Sequence, residues 1–502
     1  MAGDHARSIP DLRGRPSPDL PRFTPCRRRE QAFELTQPGV RHRSGKIGVA
    51  VATAEHVYQY LGSSMVVSTD AETHVVLATS GGNVEERAEE HPRFFDGFLE
   101  QPDQTSVALL ACARVARTRY YRPPGMVAAL LRAADPVVTS EAAALRFESF
   151  SACCGVYARL DVSADGLDRA PIAFGTTNVD FNPPMREALT RVAISQPVRL
   201  HVGADEVGIK TFGGHVVEQK VPLSDRWVRG FAEVQVAAAE LQLLADLPIA
   251  DARPFLRTLP RSSRHLAWAR PAGRSLRLSS RPSPGAACVA GPERLWSLDP
   301  LIRFATRLRV YGVDAGQHAA PAASAWELTL DHARYTLVLS PEVNRGFSGE
   351  GGVLFDLAGS DVESDAEGLL PLLGWAHPLD IERLALSAGL ARERTSSALM
   401  FLAAQGRVGY DLALNAYFHR ELPLRVEEVL KMNPRLRQAR QLLDDGKVHI
   451  EAGSARVESV GLEHRVTLGP DGDRCTCPWW GKYAGNRGPC KHILAARLAA
   501  GR

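Results

Sequence analysis

The sequence has few of the features that mark secreted or membrane proteins. Only eight of its 502 residues are cysteines, and the five outside the C-terminal segment are scattered and odd in number. Such a set makes a poor disulfide framework. No run of about 18 apolar residues occurs, which excludes an ordinary membrane-spanning helix. The first residues contain no apolar stretch of the secretory kind, so we expect a cytoplasmic protein.

Common catalytic signatures are also missing. There is no His-Glu-x-x-His motif, no Gly-x-Ser-x-Gly elbow and no P-loop. The glycine-rich segment 344–352 lacks the Gly-Lys-Ser/Thr ending and precedes a strand-like segment, so we interpret it as a turn. Adjacent Cys153 and Cys154 favour burial over redox chemistry. We predict a protein without enzymatic activity, and an enzyme of unknown class is the second alternative to our main hypothesis.

The charge is unevenly distributed along the chain. Residues 1–46 contain ten Lys/Arg against five Asp/Glu, and residues 424–502 contain fourteen against nine. Because the net charge of the whole chain is +3, the middle must be acidic. Between Arg474 and Arg502 there are six basic residues and no acidic one. A basic end is typical of proteins that bind nucleic acid or an acidic partner.

Composition and pattern predict an α+β, multidomain protein with a mixed sheet-and-helix body, which includes strands over residues 145–150 and 155–162 and a helix over residues 225–245. An apolar share of 45% is enough for a substantial core. We predict six segments: a disordered basic arm (1–46), an α+β domain (47–250), a β-rich domain with a Pro/Arg/Ser-rich connector (251–375), a winged-helix-like unit (376–423), a helical linker (424–454) and a metal-binding end (455–502).

The winged-helix-like unit is predicted from the order of its elements. Residues 379–386 have the pattern of a helix, Gly389 suits a turn, and residues 392–404 favour a second helix with two strands after it. In that arrangement Arg392 and Arg394 lie at the exposed start of a DNA-recognition helix. The alternative is that the unit packs against protein, as many winged helices do.

Four residues near the C-terminus form the most specific pattern. Cys475 and Cys477 flank one residue, and after twelve residues Cys490 and His492 flank another. Three thiolates and one imidazole are a complete tetrahedral set for one structural Zn²⁺. Because protein ligands fill every position, such a site leaves no vacancy for a substrate. Residues two apart on an extended strand share a face, which lets Cys475 and Cys477 converge on one ion.

This spacing resembles the SWIM zinc finger, and further segments resemble the long bacterial SWIM proteins. Those segments are Arg345-Gly-Phe-Ser-Gly-Glu350 and Tyr417-Phe-His-Arg-Glu-Leu-Pro423. The resemblance covers residues 47–502 and implies zinc binding, together with binding to nucleic acid or protein and no established catalysis. Some relatives are encoded near MoxR-type AAA+ ATPases and von Willebrand A proteins, which implies such proteins as partners.

Basic and aromatic residues surround the predicted ligands and leave two interpretations open. They form a surface for nucleic acid or a partner, through phosphate attraction and base stacking, or the tryptophans pack the small core around the zinc. The residues in question are Arg474, Trp479, Trp480, Lys482, Arg487 and Lys491. Our main hypothesis is a non-catalytic interaction adaptor that contacts protein, nucleic acid or both. The first alternative is a sequence-tolerant DNA-binding protein that uses the finger and the winged helix.

Overall fold

The computed structural model describes residues 56–500 with gaps at 61–62, 70, 86, 90, 122–135, 193–196, 204–218, 224, 315–319, 348–350, 352–353, 355–361, 376–377, 423–433, 452, 470–471 and 486. The predicted basic arm, residues 1–46, lies outside the described residues. Residues 54–502 form one compact unit.

The described strands, in chain order, are His56–Tyr60 (β1), Met65–Ser68 (β2), Thr73–Leu77 (β3), Gly82–Val84 (β4), Arg87–Glu89 (β5), Phe95–Phe98 (β6), Val137–Ser140 (β7), Ala144–Phe150 (β8), Val156–Ser163 (β9), Gly175–Asn178 (β10), Val198–Val202 (β11), Gln219–Leu223 (β12), Gln242–Pro248 (β13), Leu266–Ala272 (β14), Ser275–Ser279 (β15), Ala287–Ala290 (β16), Arg307–Gly312 (β17), Ser324–Leu330 (β18), Ala333–Leu339 (β19), Val408–Asp411 (β20), Ala416–His419 (β21), Val448–Glu451 (β22), Ser454–Ser459 (β23), Leu462–Thr467 (β24) and Arg474–Cys475 (β25).

The described α-helices are Pro102–Arg117 (α1), Pro183–Leu189 (α2), Asp225–Ala239 (α3), Ile249–Thr258 (α4), Val362–Leu369 (α5), Ile381–Ala388 (α6), Arg392–Ala404 (α7), Pro434–Asp444 (α8), Pro478–Tyr483 (α9) and Lys491–Ala500 (α10). A 3₁₀ segment spans Pro292–Leu301. None of these helices combines the length and the apolar character that crossing a membrane requires.

A ten-stranded sheet organises the body of the protein. Its order is β13-β17-β18-β19-β9-β8-β7-β10-β4-β5, and each of its strands pairs antiparallel with its neighbours. Strand β9 pairs with β19, with Val156 opposite Leu339 and Val162 opposite Ala333. The sheet therefore contains strands from both sides of the predicted boundary between residues 250 and 251.

Apolar and charged residues alternate along the strands of this sheet, so that one face is apolar and the other is charged. In β8, Leu145 and Phe147 point to one side while Arg146 and Glu148 point to the other. The apolar side belongs to a core that α1, α4 and the 3₁₀ segment also supply. Alternation of this kind usually indicates a strand with one solvated face. Here the charged side is buried as well, since Arg146 and Glu148 are no more than 1% exposed.

The charged face is covered by the hairpin of β20 and β21. Asp411, at the end of β20, accepts hydrogen bonds from Arg334 at 2.6 and 2.9 Å and from Arg146 at 3.4 Å. Arg420, just after β21, donates to Glu148 at 2.6 Å. The ring of Phe418 lies 4.2 Å from the guanidinium carbon of Arg146. The two strands predicted to follow the second helix of the winged-helix-like unit are therefore buried inside the protein.

Ion pairs offset the energetic cost of burying the charged side chains between the sheet and the hairpin. Arg146 also donates to Asp161 at 2.7 Å and to Glu141 at 2.6 and 3.0 Å, while Arg159 donates to Asp161 at 3.0 Å. Burial raises the pKa of Asp161, but Arg159, Arg146 and Arg334 together outweigh burial and hold that pKa below its ordinary value. The carboxylate therefore stays ionised beside three guanidiniums, since a buried charge must be paired.

Some predicted elements differ from the observed ones. The helix predicted over residues 225–245 ends at Ala239, because residues 242–248 instead pair with β17 as strand β13. The helix predicted over 379–386 occupies Ile381–Ala388, and its apolar Leu386 is 85% exposed. Helix α7 has the predicted bounds, and its Ala398 and Leu399 are buried as predicted.

Candidate metal centre

Three short elements at the end of the chain bring the four predicted ligands together. Cys475 ends β25, which pairs with β24 through Val466. Cys477 caps α9, and its sulfur accepts the N–H of Trp480 at 3.4 Å. The strand thus ends before Cys477, so convergence arises from a strand end followed by a helix cap and not from one strand face.

The second pair lies at the start of α10. The Sγ atom of Cys490 accepts the N–H of Ile493 at 3.4 Å, and its carbonyl accepts the N–H of Leu494 at 3.1 Å. His492 is the second residue of the helix. The positive end of a helix stabilises thiolate over thiol, and both Cys477 and Cys490 occupy such ends. The first turn of each helix therefore favours the form of cysteine that binds a metal.

The geometry fits one structural zinc ion. One ligand atom from each of Cys475, Cys477, Cys490 and His492 lies within 4.8 Å of all the others. The Nδ1 atom of His492 is 3.8 Å from the Sγ atom of Cys475. All four side chains are buried. A closed Cys₃His set has the ligand number and type of a structural zinc site.

The electrostatics of the cluster are compatible with a bound cation. Hydrogen bonds with Cys477 and Cys490 raise the pKa of the Cys475 thiol far above its ordinary value. Hydrogen bonds from Cys475 and Cys490 lower the pKa of Cys477. Without a cation the cluster therefore favours one thiolate, because negative charges this close together repel each other. A divalent ion removes that restriction and allows all three sulfurs to ionise.

Residues around the ligands fix their position. The ring of His464 on β24 lies against the ring of His492, with centroids 4.2 Å apart. Arg497 of α10 donates to Asp473 at 2.5 Å, which joins the last helix to the segment before Cys475. Contacts of this kind orient metal ligands. Neither His464 nor Asp473 belongs to the ligand motif, so its spacing gave no sign of them.

The finger is a larger unit than the sequence pattern suggested. Strand β22 pairs with β23, and the sheet continues through β24 to β25. Helices α8 and α10 supply its core with Leu436, Ala439, Ile493 and Leu494. The predicted linker 424–454 is helical only over Pro434–Asp444, and residues 448–451 are a strand of the finger. Residues 424–433 lie outside the described part of the chain.

The finger loop before Cys490 touches the glycine-rich segment of the body. A side chain on Gly488 would overlap the backbone of Gly351. Arg435 of α8 donates to the carbonyls of Arg487 at 2.6 Å and Pro489 at 3.0 Å, on both sides of Gly488. The other end of the glycine-rich segment is held by a hydrogen bond from Phe347 N–H to the Cys154 carbonyl at 2.8 Å. Through Phe347 and Gly351 this segment joins the finger to the body, while residues 348–350 and 352 of the predicted turn lie outside the described part of the chain.

Gly488→Ala is expected to detach this loop from the body while the zinc stays bound. Gly488 has φ +71, so alanine adds backbone strain of about 1–2 kcal/mol as well as the clash with Gly351. Gly446→Ala is a matched control, because Gly446 has φ +66 and nothing within 4 Å of the added carbon. Hydrogen exchange of residues 484–490 should quicken in Gly488→Ala alone. Equal effects of the two substitutions would contradict the contact.

Some residues of the predicted basic and aromatic surface contact one another and the core, so they are only partly available to a partner. Trp479 and Trp480 are half-buried and pack against the core. The guanidinium carbons of Arg435 and Arg487 lie 4.9 and 5.1 Å from the Trp479 ring centroid. Arg487 also lies 4.6 Å from the ring of Tyr483. These contacts favour the packing interpretation for Trp479, while Arg474 and Lys482 are exposed and Lys491 is half-buried.

The arginines predicted on the recognition helix form ion pairs within the protein. Arg392 pairs with Glu382 of α6, and Arg394 donates to Asp365 of α5 at 2.6 and 2.8 Å. The order of helix, turn, helix and two strands is present, with Gly389 at φ +66 as the turn. This arrangement does not show a winged-helix unit that binds DNA, because the hairpin after the second helix is buried on the ten-stranded sheet.

Comparisons with known proteins identify the finger and little else. The family model for the SWIM zinc finger matches residues 464–501. No curated protein matches the chain. Among solved structures, proliferating cellular nuclear antigen from Entamoeba histolytica matches with a TM-score of 0.29 and 8% identity, over 50% of this chain and 98% of that one. The PCNA2–PCNA3 complex from Sulfolobus tokodaii matches with a TM-score of 0.33 and 9% identity, over 50% and 100%. TM-scores this low carry no structural or functional conclusion.

Proposed function

We propose that this protein is a non-catalytic interaction adaptor whose C-terminal finger is held in shape by one structural zinc ion. The observation that carries the proposal is the closed Cys₃His set, in which protein side chains supply all four ligands. A catalytic zinc keeps one position for water or substrate, and this set keeps none. The zinc therefore contributes folding energy and a fixed surface, which is what an adaptor requires.

Protein is the favoured partner of this adaptor. The helix-turn-helix segment that would read DNA has its arginines paired with acidic side chains and its hairpin buried. The resemblance to the long bacterial SWIM proteins points to a MoxR-type AAA+ ATPase and a von Willebrand A protein as the partners to test. We propose that the finger contacts the partner protein and that the body acts as the scaffold for the finger.

Partner binding is expected to depend on zinc. Purified MoxR-type ATPase and von Willebrand A protein from the same cell, immobilised separately, should retain the zinc-loaded chain. They should not retain the Cys490→Ser variant, because its finger lacks one of the four zinc ligands. Cys288→Ser is the matched control, since Cys288 is buried in the body and lies outside the metal cluster. Equal retention of the parent, Cys490→Ser and Cys288→Ser would contradict a role for the finger. If none of these three chains is retained, the two immobilised proteins are not its partners.

Nucleic-acid binding is the second candidate function. It is supported by the six basic residues and absent acidic residues of 474–502, and by the exposure of Arg474 and Lys482. Phosphate contacts weaken steeply as salt rises, because binding releases counterions. If the finger binds a single-stranded oligonucleotide, Arg474→Ala and Lys482→Ala should each lower the salt slope by about one. No shift of the oligonucleotide at low salt would remove this candidate.

A further inference from the structure

The hairpin of β23 and β24 ends in an exposed apolar tip. Ser459 pairs with Leu462, so Val460 and Gly461 are the two turn residues. Both have positive φ, +54 for Val460 and +72 for Gly461. Val460 is 92% exposed and Leu462 is 64% exposed. These are two of the most exposed large apolar side chains among the described residues, and they belong to one turn.

Two features of this tip, Val460 in the turn and the charges beside it, oppose the stability of the isolated hairpin. A β-branched side chain at positive φ is a steric outlier, and two-residue turns of this type prefer Asn-Gly. Beside the turn, Glu458 lies directly opposite Glu463, and like charges in such a pair are destabilising, although Arg456 lies 4.0 Å from Glu463 and offsets part of the repulsion. Sequences that break local rules at one place commonly do so where the surface serves a function. The tip therefore has the character of a contact surface.

We propose that Val460 and Leu462 form a docking tip that binds a protein segment in which apolar side chains are combined with lysine or arginine. The proposal rests on the adaptor function and names the surface that serves it. The charge of the tip decides the kind of partner. Glu458 and Glu463 are the charged side chains nearest the turn, and their carboxylates disfavour the phosphates of nucleic acid and of anionic lipid and attract the basic side chains of a protein segment.

The zinc site fixes the direction in which the tip points. Strand β24 begins at Leu462, places His464 against the ligand His492, and places Val466 opposite Cys475. The tip is therefore two residues from a side chain that contacts the metal cluster. Ordering the tip in advance by zinc lowers the entropy cost of binding a partner.

The test uses the zinc-loaded full chain and a random peptide display library as the probe. Selected peptides should combine apolar side chains with lysine or arginine. They should bind Val460→Asn about tenfold more weakly or worse, because an apolar anchor is lost. Leu386→Asn is the matched control, since Leu386 is 85% exposed on α6, and this variant should bind the peptides like the parent. Glu458→Lys should weaken binding and flatten its salt dependence.

Weaker binding of Val460→Asn would not result from misfolding, because asparagine suits the left-handed turn better than valine. Val460→Asn should keep or raise the melting temperature, and a clear fall would contradict the strained turn. The docking tip is overturned if no peptide is enriched, or if the enriched peptides bind Val460→Asn as tightly as the parent. Preferential binding of the tip to an oligonucleotide or to anionic vesicles would also overturn it.

Failure of the docking tip is distinguishable from failure of the adaptor function. If the immobilised ATPase or von Willebrand A protein retains parent and Val460→Asn equally, the adaptor function stands and the tip is not its surface. If they retain the parent but not Val460→Asn, both stand. If they retain neither protein while the peptides still require Val460, the tip stands and these partners do not.

Discussion

Cys490→Ser should reduce bound zinc from about one ion per chain to less than about a tenth, with loss of the folded finger. Structural zinc in small finger peptides contributes about 10–16 kcal/mol of apparent binding energy, and that energy is folding energy. Serine replaces a soft thiolate with a hydroxyl that zinc binds poorly. The substitution also removes the sulfur that accepts the N–H of Ile493 at the start of α10. The ten-stranded sheet of the body, which has its own core, should stay folded.

The measurement is zinc content by elemental analysis, combined with hydrogen exchange of the finger and the body. Peptides from β22 to β25 and from α10 should exchange rapidly in Cys490→Ser, while peptides from β8 and β9 should remain protected. Cys288→Ser should bind as much zinc as the parent, because Cys288 lies in β16 away from the cluster. Full zinc content in Cys490→Ser would contradict the assignment of this ligand.

Asp411→Asn should destabilise the body by about 3–5 kcal/mol, because it leaves buried guanidiniums without their shared carboxylate. Asp411 is fully buried and accepts hydrogen bonds from Arg334 and Arg146, as well as from the N–H of Ala413 at 3.0 Å. Asparagine has nearly the same shape, but its amide group presents hydrogen-bond donors where the arginines need acceptors. The hairpin of β20 and β21 should then separate from the charged face of the sheet.

Denaturant unfolding of the body measures this loss, with Asp445→Asn as the control. Asp445 pairs with Lys447 at 2.9 Å on the surface, where an ion pair contributes little to stability. The control should therefore unfold at the same denaturant concentration as the parent. A loss from Asp411→Asn no larger than that of the control would show that the buried charges do not hold the hairpin.

Local patterns in the sequence predicted those parts of the fold that depend on neighbouring residues. Helix α7 begins and ends where its sequence indicated, at Arg392 and Ala404. The zinc ligands were also recognisable, because paired spacings of cysteine and histidine have a specific chemical meaning. Strands β8 and β9 followed from their alternation. In each case the information lies within a few residues of the element it specifies.

Features that depend on distant residues were not predictable from the sequence in this way. The segment Gln242–Pro248 continues a helical pattern, and only its pairing with β17 makes it a strand. The burial of Arg146 requires Asp411, which follows 265 residues later in the chain. Arg435 belongs to no motif, yet it joins α8 to the loop before Cys490. Tertiary context overrides local preference at such positions.

Zinc K-edge X-ray absorption on the purified full chain tests the central claim most directly. A Cys₃His site predicts one zinc per chain, three sulfur neighbours at about 2.3 Å and one nitrogen at about 2.0–2.1 Å, with no water oxygen in the first shell. That result would establish a closed site built from Cys475, Cys477, Cys490 and His492. A chain without zinc, or an ion with fewer sulfurs and a bound water, would contradict it.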